Sequence, residues 1–263
     1  NWNEGFKAFN DYFARLSYII VNTNETAKVG VINPVRDIWL DYIRSEDYES
    51  VKQIETDFEE FLAVLRKSGL EYQLIDERIL ERHGKAENGV LHVGECTYDT
   101  VIIPKMRNIS ASTYGILKGY TGKLCLIGKP LYTDGKREDI SLCGNVTIDE
   151  ILSERRIKYS CRDGNSILTA RSGEIGEFLF IKNTSFNEAS KVEIVGAENE
   201  YRAFDPETLT ESDITDEIVI PASESVILIK SDDAKRADTS VTETDETSAF
   251  SVTDITENYL VMD

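Results

Sequence analysis

Apolar residues along this chain change their spacing twice, and the changes divide it. Over residues 2–21, Phe6, Phe9, Tyr12, Phe13, Leu16, Ile19 and Ile20 recur at helical spacing, which predicts an amphipathic helix. Turn formers at 22–26 end it. Val29-Gly30-Val31-Ile32 is then a short β-branched run halted by Asn33-Pro34, the pattern of a strand buried on both faces. Val51, Ile54, Phe58, Phe61, Leu62 and Leu65 make a second helical stripe with Gly69 placed to cap it, and 72–75 follow as a strand. A strand, a crossover helix and a second strand imply parallel pairing with a right-handed connection.

The buried-strand pattern returns at 100–103, before Pro104, and at 124–127, before Gly128, with Ser110 placed to cap a helix through Leu117 to Gly119. Residues 76–88, with Gly89 and Gly94, read as a polar connection. Four strands alternating with helices predict an α/β layer that is flavodoxin-like (class I glutamine amidotransferase-like), with strand order 2-1-3-4. Beyond about Arg156 the period shortens. Runs at 167–170, 177–182, 191–195, 217–220 and 225–229, separated by Gly, Asn, Asp and Pro turns, predict an antiparallel, β-sandwich-like domain. The expected organisation is a leading helix over 1–24 that links to an upstream domain, an α/β domain over 25–156 and an antiparallel β domain over 157–231. An acidic linker or surface loop over 232–249 follows, then strands over 250–263 of a further or completing β domain.

Charge narrows the partners. A formal −19 over 263 residues repels a phosphate backbone, so nucleic acid and anionic membrane surfaces are not expected partners. No run approaches the roughly 18 apolar residues of a membrane span. A neutral carbohydrate or another protein meets no such barrier. Cys96, Cys125, Cys143 and Cys161 have no zinc-site spacing, and Cys125 falls inside an apolar strand, so free structural thiols are expected. The only histidines, His83 and His92, sit in the polar connection and read as exposed. No metal or cofactor is expected.

In open α/β sheets ligands sit beyond the carboxyl ends of the strands, which directs attention to 34–50. Gly94-Glu95-Cys96 mimics a nucleophile elbow, but it precedes a strand and no histidine follows His92 to act as base. No Gly-rich phosphate loop follows the first strand, which argues against nucleotides and flavins. Asp76 and Glu77, just past the second strand, are the most suggestive acids for glycosidase chemistry; a solvated acidic turn is the plainer reading. Arg36, Trp39, Tyr42 and Tyr48 supply a bidentate donor and broad apolar faces, suited to sugar rings or to interface anchoring.

Phe9-Asn10-Asp11-Tyr12-Phe13-Ala14-Arg15-Leu16-Ser17-Tyr18, the strand at Val29 with Trp39, Tyr72-Gln73-Leu74-Ile75-Asp76-Glu77, Tyr98 with the strand to Pro104, and Phe204-Asp205-Pro206-Glu207-Thr208 occur in an order that resembles the middle region of large alpha-L-rhamnosidase-type (family 106-like) glycoside hydrolases. A weaker resemblance is to the amidotransferase-like trimerisation domain of family 42 beta-galactosidases. The resemblance implies a catalytic barrel upstream that holds the catalytic carboxylates, none of which maps onto this chain. It also implies that Asn258 to Asp263 enter a further sandwich. The expected function is a non-catalytic ancillary part of a glycoside hydrolase. That part braces or borders the site of a catalytic domain of the same polypeptide, or serves as an oligomerisation, interaction or sugar-binding module. The expected partners are that domain, a carbohydrate and further copies of the chain.

Overall fold

The computed structural model describes residues 2–41, 49–154, 157–161, 163–195, 200–215 and 217–231. Residues up to Thr26 and from Ile157 onward form one unit, and Ala27–Arg156 the other. Helix α1 (Trp2–Val21) and strand β1 (Thr23–Glu25) open the chain. The carboxyl half of α1 carries its packing: Leu16, Tyr18 and Ile19 lie against Phe178, Phe204, Ile227 and Ile229. Arg171 locks the end of the helix by donating to the carbonyls of Ile20 (2.9 Å) and Thr23 (2.6 Å).

The second unit runs β2 (Val29–Ile32), α2 (Val35–Asp41), α3 (Glu49–Ser68), β3 (Tyr72–Ile75), α4 (Glu77–His83), β4 (Gly84–Glu87), β5 (Val90–Val93) and β6 (Cys96–Tyr98), then β7 (Thr100–Ile103), β8 (Asn108–Ile109), α5 (Ala111–Lys118), β9 (Lys123–Leu126), β10 (Tyr132–Thr133), β11 (Lys136–Arg137) and α6 (Ile148–Ser153). Its centre is an all-parallel sheet ordered β3-β2-β7-β9. Successive side chains of a strand point to opposite faces, so each strand feeds two cores. Val29, Val31, Ile102 and Cys125 meet Leu62 and Leu65 of α3 and Ile151 of α6. On the other face Ile32, Ile75, Val101, Ile103 and Leu124 meet Leu80 of α4 and Leu117 of α5. Helix α3 ends where Gly69 (φ 66°) turns left-handed, the amides of Gly69 and Leu70 closing back on Arg66 and Leu65. The outer edge of β9 is occupied at one rung by Asn145, whose Oδ1 accepts from Leu124 N–H (2.8 Å) while its own N–H donates to Leu124 O (2.9 Å).

The polar connection of the sequence reading is ordered structure. Asp76 caps α4, and a three-stranded antiparallel ribbon β4-β5-β6 follows. Asn88 (φ 52°) and Gly89 (φ 78°) form the two-residue turn between β4 and β5, the left-handed pair that Asn-Gly adopts most readily. Leu91 and Tyr98 of this ribbon are buried in the core. His83 therefore ends a helix and His92 lies in a strand.

The remaining chain is antiparallel: β12 (Tyr159–Cys161), β13 (Ser166–Gly173), β14 (Gly176–Asn183), β15 (Ser190–Ile194), β16 (Tyr201–Asp205), β17 (Thr210–Ser212), β18 (Glu217–Ile220) and β19 (Ser225–Lys230). A six-stranded sheet, β1-β13-β14-β19-β16-β17, shares a core with a three-stranded one, β12-β15-β18. Alternation along β14 shows both sides: Leu179 and Ile181 enter the core between the sheets, while Phe178 and Phe180 face α1. The strands anticipated near 250–252 and 259–262 lie outside the described residues.

Candidate functional site

The carboxyl ends of the parallel strands are joined by a polar network built from all four connections. Pro34 halts β2 and sets the backbone for α2, which begins one residue later. Arg36 and Asp37 fall in its first turn. The Arg36 guanidinium splits between two carboxylates, Asp134 at 3.0 Å and Glu81 at 3.2 Å. Asp37, buried, accepts from the amides of Arg107 (3.0 Å) and Asn108 (3.1 Å), which ties the end of β7 onto α2. Asn108 in turn accepts from Gly135 N–H at 2.9 Å, and Asp134 from Ala111 N–H at 3.2 Å.

Asp76 and Glu77 have separate tasks. Asp76 Oδ1 accepts from the amides of Arg78 (2.8 Å) and Ile79 (3.2 Å), the bonds of a helix cap. Glu77 is 2% exposed. Its Oε2 accepts from Ser110 N–H at 2.7 Å, while its Oε1 is buried without a hydrogen-bond partner. Burial pushes its carboxyl above the ordinary value, against the opposing pull of the Ser110 amide, the Thr113 and Ser110 hydroxyls and the Arg36 charge. Two carboxylates so placed do not flank a common substrate position, which is what glycoside hydrolysis requires.

Trp39 lies one turn beyond Arg36 on α2 and is 55% exposed, with Leu40 exposed beside it. Among the described residues of α2 it is the exposed aromatic. Tyr42 and Tyr48 lie outside the described residues. The structure thus brings Arg36 to α4 and to the β10-β11 turn, leaves Trp39 outward, and uses Asp76 for capping. Asp37, Glu81 and Asp134 escaped the sequence reading. Asp134-Gly135, with φ of 48° and 76°, is a hairpin pair that marks a tight turn beyond the fourth strand; the carboxylate's bond to Arg36 has no local signature.

Elsewhere in this unit two open grooves flank β9. One of about 440 Å³ is lined by Asp99, Thr121, Lys123 and Glu150 among others; Lys123 is already paired with Glu154. The other, about 610 Å³, runs past Cys125, Ile127, Gly144 and Val146. Among the described residues no group of His, Cys, Asp and Glu is arranged to hold a metal ion, and no helix is long and apolar enough to cross a membrane. All four cysteines are free: Cys125 and Cys161 buried, Cys96 and Cys143 exposed. Gly94-Glu95 forms the hairpin turn before Cys96, so the apparent elbow joins two strands.

No family model and no curated protein matches this chain. Solved structures do. Gan42B, a GH42 beta-galactosidase, matches with TM-score 0.53 at 13% identity, covering 82% of this chain and 42% of that one. A catalytic mutant of Gan42B from G. stearothermophilus gives 0.52 at 14% identity with the same coverage. The beta-galactosidase of Bacillus circulans sp. alkalophilus gives 0.51 at 13% identity, covering 84% and 44%. At this identity the likeness is one of fold, and the chain spans about two fifths of the beta-galactosidases it matches. Of the two resemblances read from the sequence, the structural likeness falls on the weaker, to family 42.

Proposed function

We propose that this chain is a non-catalytic assembly and interaction module of a beta-galactosidase-like glycoside hydrolase. The observation that carries the proposal is the fold likeness to GH42 beta-galactosidases over 82% of the chain, joined to a strand edge whose charged groups are occupied structurally. Arg36 is neutralised by Glu81 and Asp134, Asp37 and Asp76 bind backbone amides, and Glu77 is buried. In this reading the parallel sheet is a flavodoxin-like layer whose network stiffens the carboxyl edge, and Trp39 is the anchor it presents. That edge borders the site of a catalytic domain carried elsewhere in the parent enzyme. Light scattering across a dilution series tests the assembly part. A mass above the 29.7 kDa monomer is expected at high concentration; a monomer throughout contradicts it.

A further inference from the structure

We infer that Phe186, Asn187 and Glu188, on the loop joining β14 to β15, bind a neutral sugar ring, Phe186 stacking on its C–H face while Asn187 and Glu188 bond its hydroxyls. The site belongs to the antiparallel unit and stands independently of the assembly reading. Three connections of that unit are hydrogen-bonded together there: residues 163–165 between β12 and β13, 184–189 between β14 and β15, and 221–224 between β18 and β19.

Asn183, fully buried at the end of β14, is the hub. Its Nδ2 donates to the carbonyls of Glu188 (2.8 Å) and Pro221 (3.0 Å), and its Oδ1 accepts from Ser185 N–H at 2.9 Å. Ser185 in turn accepts at its carbonyl from Ser223 N–H (2.8 Å), and Thr184 N–H donates to Asn165 O (2.7 Å). Ser185 Oγ accepts from Glu188 N–H at 3.1 Å. The backbone is thus fixed on both sides of Phe186, whose ring nevertheless stands 85% exposed. A ring on a loop already held in place binds without a further cost of ordering the backbone.

The surroundings of the ring select the ligand. Within the three connections Phe186 is the exposed large apolar residue, whereas a specific protein interface takes about 800 Å² per partner around an apolar centre. One isolated ring does not supply that centre. Residues 163–165, 184–189 and 221–224 contain no Lys or Arg but carry Asp163, Glu188 and Glu224, so an anionic ligand is repelled. Asn187 and Glu188 are exposed, and among the described residues their side chains have no hydrogen-bond partner. An amide that both donates and accepts, and a carboxylate that accepts, suit the hydroxyls at the rim of a pyranose, and an aromatic face suits its C–H side. A site of one ring, open to water, holds a hexose of about 12 non-hydrogen atoms no more tightly than about 1 mM.

Saturation-transfer difference NMR on the full chain tests this, with galactotetraose and cellotetraose as neutral probes and tetragalacturonate as the anionic one. The wild type is expected to bind at least one neutral probe through its ring C–H protons and to leave tetragalacturonate unbound. Phe186→Ala and Phe186→Leu should each weaken binding at least tenfold, and Asn187→Ala should weaken it less. Val195→Ser, at a position of the same unit that is 70% exposed, should leave it unchanged. Should Phe186→Ala lose its wild-type circular dichroism, Phe186→Leu, which keeps the apolar bulk and removes the ring, carries the test. No binding of either neutral probe, binding that the Phe186 variants leave intact, or preference for tetragalacturonate overturns the site. So does a change in sedimenting mass on Phe186→Ala without sugar binding, which would make the ring a protein anchor. Each of these results leaves the assembly reading to its own test.

Discussion

Glu77→Gln is the substitution whose outcome follows most directly from the strand-edge network. Glutamine keeps an oxygen for the Ser110 amide, which donates to Glu77 at 2.7 Å, and removes a charge from a site only 2% exposed. The other carboxylate oxygen has no hydrogen-bond partner; glutamine leaves a polar atom there but a neutral one, and an unpaired buried group costs about 1–3 kcal/mol when neutral and more when charged. The variant is therefore expected to be more stable than the wild type at neutral pH by about 1–2 kcal/mol, or roughly 3 °C in unfolding midpoint per kcal/mol for a unit of this size. Burial raises the native carboxyl above its ordinary value of 4.5, so the folded chain holds this proton more tightly than the unfolded one. The stabilisation from that proton is complete below the ordinary value and is lost as pH rises through the raised native one. The stability gap between variant and wild type should accordingly be small near pH ~4 and widen towards pH ~7. The assay is urea denaturation at several pH values, read by Trp39 fluorescence in a Trp2→Phe background, since the chain has two tryptophans and Trp39 belongs to this unit. A gap independent of pH, or a wild type more stable than the variant at neutrality, refutes the reasoning. Either result would mean that Arg36 and Ser110 favour the charged form more than burial opposes it.

Three further substitutions probe other parts of the account. Asn145→Ala strips the side chain that accepts from Leu124 N–H (2.8 Å) and donates to Gly122 O (2.9 Å); a loss of about 1–3 kcal/mol in chemical denaturation is expected. Gly30→Ala puts a Cβ 2.4 Å from Ile75 Cδ1 and 3.1 Å from Tyr98 Cγ. It should cost about 1–3 kcal/mol, with part recovered when Ile75→Val removes the nearer atom. Trp39→Ala, at a position 55% exposed, should change stability by no more than about 0.5 kcal/mol; a larger loss in the same denaturation assay would show that the ring supports the fold instead of facing a partner.

The parallel sheet was legible because its two central strands are buried on both faces, so Val29 to Ile32 and Thr100 to Ile103 stand out as apolar runs. Gly69 and Ser110 also carried their signals locally, one in a left-handed cap and the other in a hydroxyl that accepts from Thr113 N–H at 3.0 Å. Helix α4 and the ribbon after it were read as polar because each buries few residues, Leu80, Leu91 and Tyr98 among them, within a charged sequence. Asn88-Gly89 was the available clue. Strands β12 and β17 are three residues each, too short for alternation to show. At the site, Arg36 and Trp39 were visible by residue type and Asp76 by position. The roles of Asp37, Glu81 and Asp134 depend on partners roughly 45 to 100 residues away, as Arg36 with Glu81 and Asp134 and Asp37 with Arg107 show. Long-range pairing of that kind leaves no periodicity to read.

The proposed module carries no glycosidic chemistry of its own. Turnover of aryl beta-galactosides and aryl alpha-rhamnosides by the purified full chain, followed by release of the aryl group, measures it directly. The account predicts release at the rate of buffer alone, unchanged by Glu77→Gln or by alanine at Asp76. Sustained hydrolysis by the wild type that either substitution abolishes would contradict it.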